Sequence, residues 1–312
     1  MDPLSCLLSG IRAEGSVVTS AVLDGPWTIQ FADRAPLTMI SVFRGGGTLI
    51  LADGTRTRIT MGDTAIVQGP EPFRLVDDPD SLTGPPTEYE ISCFTSGEDC
   101  CGEELRGIRW GSDQPEATAL VVGAYKTSAR RHDRLLRVLP KVLVISEETD
   151  VCPWLEAAAS DAAKLSAGSQ AMMDRLLDWG LVCTLRTWFE QAGADAPHWY
   201  RGMADEIVAP ALQAIHTYTG KGWTVASLAA ESGVSRALFA KRFAAVMGRP
   251  PLNYLTETRM DEAEELLADT DLTVAQVAKK VGYADAFGFS AAFKRYRGVS
   301  PKAFRSSATV AA

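Results

Sequence analysis

Histidine is nearly missing from this chain, with three in 312 residues: His132, His198 and His216. Imidazole is the commonest metal ligand and the usual base for a catalytic Ser or Cys. Its scarcity argues against a His-built metal centre and against nucleophilic hydrolysis, and no G-x-S-x-G elbow occurs. The six cysteines include no C-x-x-C pair, the spacing of zinc ribbons and thiol oxidoreductases. No apolar run approaches the roughly 18 residues of a membrane span. Met1-Asp2-Pro3-Leu4 lacks the basic start of a signal peptide. The expectation is a cytoplasmic protein without membrane contact, not an enzyme, with no cofactor and no metal.

A basic surplus is lacking as well, for the net charge is −8. The charge is unevenly spread. From Lys221 onward there are 13 Lys/Arg and 9 Asp/Glu, a balance of +4, while the remainder holds 18 and 30, a balance of −12. Electrostatic attraction acts over about 10 Å in physiological salt, so an acidic front does not veto a basic, phosphate-binding back. A hydrophobic content of 46% and a charged content of 22% describe an ordinary globular chain, long enough for two domains.

What the chain does have is one pattern written twice near its end. Thr224-Val225-Ala226-Ser227-Leu228-Ala229, Gly233, Phe239, Phe243, Gly248 and Pro251 return as Thr273-Val274-Ala275-Gln276-Val277-Ala278, Gly282, Phe289, Phe293, Gly298 and Pro301. Each copy reads as a helix capped by Thr, a turn at Gly, and a second helix pinned by Phe at i,i+4. Gln276 completes a capping box with Thr273. Ser235 and Asp285 are placed to cap the second helices. The pattern predicts helix-turn-helix units at about 224–247 and 273–297. Between them, residues 252–268 carry Tyr254, Leu255, Met260, Ala263, Leu266 and Leu267 on one face, a rod of roughly 26 Å. Such a rod suits two heads set about one DNA turn apart.

The run from Trp223 to Phe304 resembles the DNA-binding domain of AraC/XylS-type bacterial transcription regulators. The resemblance rests on Trp223–Ala229, Gly248-Arg249-Pro250-Pro251-Leu252-Asn253-Tyr254-Leu255, Thr258-Arg259-Met260 and Gly298-Val299-Ser300-Pro301. It implies sequence-specific, double-stranded DNA binding, a transcription regulator, and RNA polymerase as a partner if the protein is an activator.

The front half reads as short strands at 17–18, 27–31, 37–43, 48–51, 56–59, 64–67, 73–76 and 89–94, separated by turn signals. Asp53-Gly54 marks a hairpin, and Gly45-Gly46-Gly47, with no Lys-Ser/Thr after it, reads as a bulge or turn rather than a phosphate loop. The spacing suggests a barrel or jelly roll. With Gly62-Asp63 before Thr64–Val67, it resembles the cupin-type sensor domain that often precedes this module. The histidines that metal-dependent cupins place on their strands are missing, which favours a pocket for a small-molecule effector, or a dimer scaffold.

Residues after Pro153 turn helical. One helix is expected near Trp154–Ala162 and a second from Met172 to Phe189, apolar on more than one face. Core burial and dimerisation both account for that; the resemblance favours a homodimer through the N-terminal domain. The expected class is thus α+β in two domains: a cupin-like sensor at 1–190, a linker at 191–203, and an all-α DNA-binding domain at 204–306. His216, in an expected helix at 207–218, reads as a packed structural residue.

Three thiols, Cys93, Cys100 and Cys101, lie close together and open an alternative reading as a redox or soft-metal sensor. Their acidic neighbours Glu98, Asp99, Glu103 and Glu104 oppose thiolate formation. In the C-terminal part, Phe239 and Phe243 facing inward leave Arg236, Ala237, Ala240 and Lys241 outward. The second copy presents Phe287, Ser290, Ala291 and Lys294, with Arg295 and Arg297 beside them as phosphate contacts. Phe287 reads either as an apolar contact to a thymine methyl or as a locally packed side chain. Ala291 stands where many relatives carry arginine. A protein-binding use of these helices remains the rival reading, and a steep salt dependence would favour DNA over it.

Overall fold

The computed structural model describes residues 2–8, 11, 19–23, 26–32, 34–80, 87–91, 118–125, 132–146 and 167–310. They form two compact units. One comprises Gly10–Ser128 and Leu136–Trp188; the other Met1–Ser9, Ala129–Leu135 and Phe189–Ala312.

The first unit holds β1 (Thr19–Leu23), β2 (Trp27–Phe31), β3 (Leu37–Arg44), β4 (Gly46–Ile50), β5 (Arg56–Thr60), β6 (Asp63–Gln68), β7 (Phe73–Val76), β8 (Thr87–Ile91), β9 (Thr118–Tyr125) and β10 (Val142–Ser146). They make two five-stranded sheets, β1-β9-β3-β6-β10 and β5-β4-β7-β2-β8. One core lies between the sheets: Ile40, Val42, Ala65, Leu120 and Val122 from the first meet Trp27, Ile29, Leu49, Ile59 and Leu75 from the second. The expected barrel thus takes the form of a two-sheet sandwich. Two of its turns follow the sequence signals. Gly54 sits at φ +85 in the β4–β5 hairpin, where Asp53 accepts from the Thr55 amide. Gly45 at φ +72 follows a bulge between Val42 and Arg44, as the triple glycine suggests.

Strands β9 and β10 have no counterpart in the sequence reading. Every residue of β9 is buried, so it lacks the alternation by which half-exposed strands are recognised. Its second face is covered by a long helix, α3 (Ser169–Ala192); a short α2 (His132–Val138) lies between β9 and β10. The fit of α3 is close. A Cβ on Gly123 would stand 2.8 Å from the Leu177 side chain, and one on Gly180 would meet the Met39 methyl. The buried Tyr125 hydroxyl donates to the Leu177 carbonyl at 2.7 Å, and burial pushes that phenol well above its ordinary pKa, so it stays a neutral donor. The helix expected near 154–162 and the strand expected at 17–18 lie outside the described residues, as do Cys93, Cys100 and Cys101.

The second unit is helical. It contains α1 (Pro3–Leu8), α4 (His198–Met203), α5 (Val208–Thr217), α6 (Val225–Glu231), α7 (Arg236–Met247), α8 (Pro251–Asp269), α9 (Val274–Lys280), α10 (Ala286–Arg297) and α11 (Pro301–Val310). The linker expected at 191–203 carries structure instead. It holds the end of α3, a 3-10 turn at Gly193–Asp195, and α4. The reason is apolar: Trp199 and Met203 lie against the helical core, and Trp199, edge-on, and Tyr200, tilted, pack against the Phe189 ring.

Candidate nucleic-acid interface

Each half of the repeat builds its own core, and α8 supplies both. Tyr254 and Leu255 join Leu228, Phe239 and Phe243; Met260, Ala263 and Leu267 join Val277, Phe289 and Phe293. The 19 residues of α8 span about 28 Å, so its two ends plug two separate heads onto one rod. His216, part-buried on α5, meets the Tyr254 hydroxyl at 2.8 Å, the structural use its position suggests.

Local chemistry fixes the start and stop of every helix in the heads. Thr224 accepts from the Ser227 amide while the Ser227 hydroxyl accepts from the Thr224 amide, and Thr273 with Gln276 does the same. The first of these boxes was not legible, because Ser takes the place usually held by Glu or Gln. Ser235 caps α7 through Leu238 and Asp285 caps α10 through Gly288. Gly233 and Gly282 make the turns at φ +66 and +86, a region that other residues enter only with strain.

With Phe239, Phe243, Phe289 and Phe293 fully buried, the opposite faces of α7 and α10 look outward. Arg236, Ala237 and Lys241 are exposed and Ala240 half-buried on α7; Phe287, Ala291, Lys294 and Arg295 are exposed on α10. Among the described residues Arg236, Lys241, Lys294 and Arg295 have no ion-pair partner. Ser290 is half-buried, and its hydroxyl donates to the Ala286 carbonyl at 2.7 Å, which leaves it only an acceptor.

Arg297 is placed otherwise than a phosphate contact would be. Its guanidinium forks onto the carboxylate of Glu264 on α8, which raises the arginine's pKa and ties α10 to the rod. Arg242 is likewise engaged, with Asp205 at 2.6 Å. The sequence reading also passed over Lys279 and Lys280, exposed at the end of α9; a basic pair closing the helix, one residue short of the turn glycine, is the signal that could have found them.

The two heads touch through a third element. Arg259, midway along α8, donates to the carbonyls of Thr219 at 3.1 Å and Lys221 at 2.8 Å, just before the first head. Its guanidinium carbon also lies 5.9 Å from the centre of the Tyr283 ring in the second. Gly282 has room for no Cβ, which would stand 2.6 Å from both the Arg259 guanidinium and the Gly220 carbonyl.

Comparison with known proteins agrees with a helix-turn-helix domain at this end of the chain. Residues 2–190 match the cupin family and residues 228–307 a helix-turn-helix domain family. A protein of Streptomyces lividans named as an AraC-like transcription regulator is 30% identical over 99% of this chain and 100% of its own. This chain belongs to the AraC-type DNA-binding transcription regulators. The transcriptional regulator AlkR of Acinetobacter baylyi is 26% identical over 98% of both chains. The solved DNA-binding domain of AdpA, in complex with a target DNA, is 30% identical over 33% of this chain and 92% of its own, with a TM-score of 0.31. No helix among the described residues is long and apolar enough to cross a membrane.

Proposed function

We propose that this AraC-type regulator grips two successive major grooves with α7 and α10, and that a small molecule or stress signal received by the cupin sandwich governs its grip. The carrying observation is the pair of outward helix faces. Arg236 and Lys241 on one, and Lys294 and Arg295 on the other, lie exposed and unpaired among the described residues, on two heads that share one rod. Arg236, Ala237, Ala240 and Lys241 read the first groove, with Lys241 aimed at base edges. Phe287, Ser290 and Ala291 face the second, where Lys294 and Arg295 hold phosphates.

The working form is a homodimer in the cytoplasm, joined through the N-terminal domain, with RNA polymerase as a further partner if the outcome is activation. Long helix α3 supports the dimer. It buries Leu177, Leu181 and Leu185 yet leaves Met172 39% and Trp179 49% exposed, a second apolar face. The test is selection of duplexes from a random library by the full chain, followed by footprinting. Two protected half-sites per protomer, about one DNA turn apart, are expected, with affinity falling steeply as salt rises. A single short footprint, or binding indifferent to salt, overturns the reading.

A further inference from the structure

The second head presents a face with almost no hydrogen-bonding capacity, and Phe287 is its most prominent feature at 87% exposed. It is the most open of the exposed large hydrophobic side chains among the described residues, and it lies on the outward face of the second helix of its head. Its neighbours do not cover it. Gly288 has no side chain, and even a Cβ there would meet only the Asp285 carboxylate, at 3.6 Å or more. Ala291, one turn on, is exposed as well. Ser290 spends its proton on the Ala286 carbonyl. From Ala286 to Ala292 no side chain is free to donate to a guanine or adenine edge. The rim is cationic: Lys279 and Lys280 lie before the turn, Lys294 and Arg295 after it, all exposed. An apolar stretch flanked along the chain by lysine and arginine, with Asp285 as the carboxylate at its cap, is matched by a polyanion whose groove floor carries methyl groups.

We propose that Phe287 and Ala291 form a thymine-methyl reading surface, so that the second half-site is specified by the C5-methyl of thymine rather than by hydrogen bonds. This rests on the DNA-binding reading above and names what its second head recognises. In the major groove the methyl is the one apolar mark that separates thymine from the other bases. The two heads therefore read by different chemistry, the first through the long donors Arg236 and Lys241, the second by apolar fit, and the operator is asymmetric in kind.

The experiment uses the full chain and duplexes it selects from a random library. Each thymine is replaced in turn by deoxyuridine, which pairs identically and lacks only the methyl. At one or two thymines of the second half-site, wild type loses about fourfold in affinity, the worth of one buried methyl. F287S binds thymine and uracil duplexes alike, while F287L keeps part of the preference. Phe287 sits outside the core, so both variants retain the wild-type melting curve. Uniform tolerance of uracil by wild type overturns the proposal, and so does a thymine preference that survives in F287S. Failure of the underlying reading looks different: the wild-type chain then enriches no sequence at all.

Discussion

Removing the carboxylate of Glu264 separates a structural arginine from a phosphate-binding one. Glu264 is 4% exposed and its partner Arg297 31%. Breaking a fully buried pair by deleting one member costs about 3–5 kcal/mol, because the other charge is stranded. Arg297 keeps a third of its side chain in water, which discounts that loss to about 2–3 kcal/mol. At about 2–4 °C per kcal/mol for a unit of this size, Glu264→Ala lowers the melting temperature of the helical unit by about 4–12 °C. The assay is a denaturant or thermal melt of the full chain, paired with the salt dependence of DNA binding for Arg297→Gln. A phosphate contact would reduce the log–log salt slope by about 1; here Arg297→Gln leaves the slope intact while stability falls. A double variant with both positions apolar recovers most of the stability. A Glu264→Ala chain as stable as wild type, or a slope that drops in Arg297→Gln, refutes the assignment.

Three further outcomes follow from the same geometry. Lys241→Ala weakens binding to a selected duplex by about 1–3 kcal/mol and relaxes preference at one base pair; equal loss on every sequence, measured by fluorescence anisotropy, would reassign it to phosphate. Arg259→Gln loosens the junction of the two heads and weakens binding at the native half-site spacing by about 1–2 kcal/mol. Duplexes with one added base pair then bind almost as well as the native spacing, and a spacing profile identical to wild type would show that the rod alone sets the separation. Asp205 accepts from the Ile207 and Val208 amides and from Arg242. Burial opposes its charge, yet the hydrogen bonds outweigh it, and its pKa falls below the usual 3.8. Its stabilisation is therefore present above that value and lost as pH falls through the depressed folded pKa. Asp205→Ala destabilises by about 1 kcal/mol at neutral pH, and the gap between variant and wild type closes in strong acid. A gap that persists there would contradict the mechanism.

The helical heads were legible because their signals are local. Thr caps, turn glycines and Phe pairs at i,i+4 act within a few residues, and the structure places all of them as the repeat suggests. Single-sided strands such as β2, buried at every second residue, were equally readable. What was hidden depends on distant partners. β9 looks like any apolar run until α3 covers its second face, and α4 looks like a linker until Trp199 finds a core. Arg297, three residues beyond Lys294 on the same helix, reads as one more surface cation; only Glu264, 33 residues earlier in sequence, gives it another use.

The same distinction bears on how such a chain acquires specificity. Residues that build the heads are shared between the two copies: the capping Thr, the turn Gly, both Phe, the closing Gly and Pro. The outward residues are not shared. Counting from the Phe pairs, Ala237 in the first copy stands where the second has Phe287, and Lys241 where it has Ala291. A scaffold whose stability is carried by its inward residues lets the outward ones change at little cost, since surface substitutions seldom exceed about 0.5 kcal/mol. Two copies on one rod then diverge in what they read without diverging in fold. Arg259 and the close approach of Gly220 to Gly282 tie the two heads together, so that under the proposed function two chemically different readings add into one address on DNA.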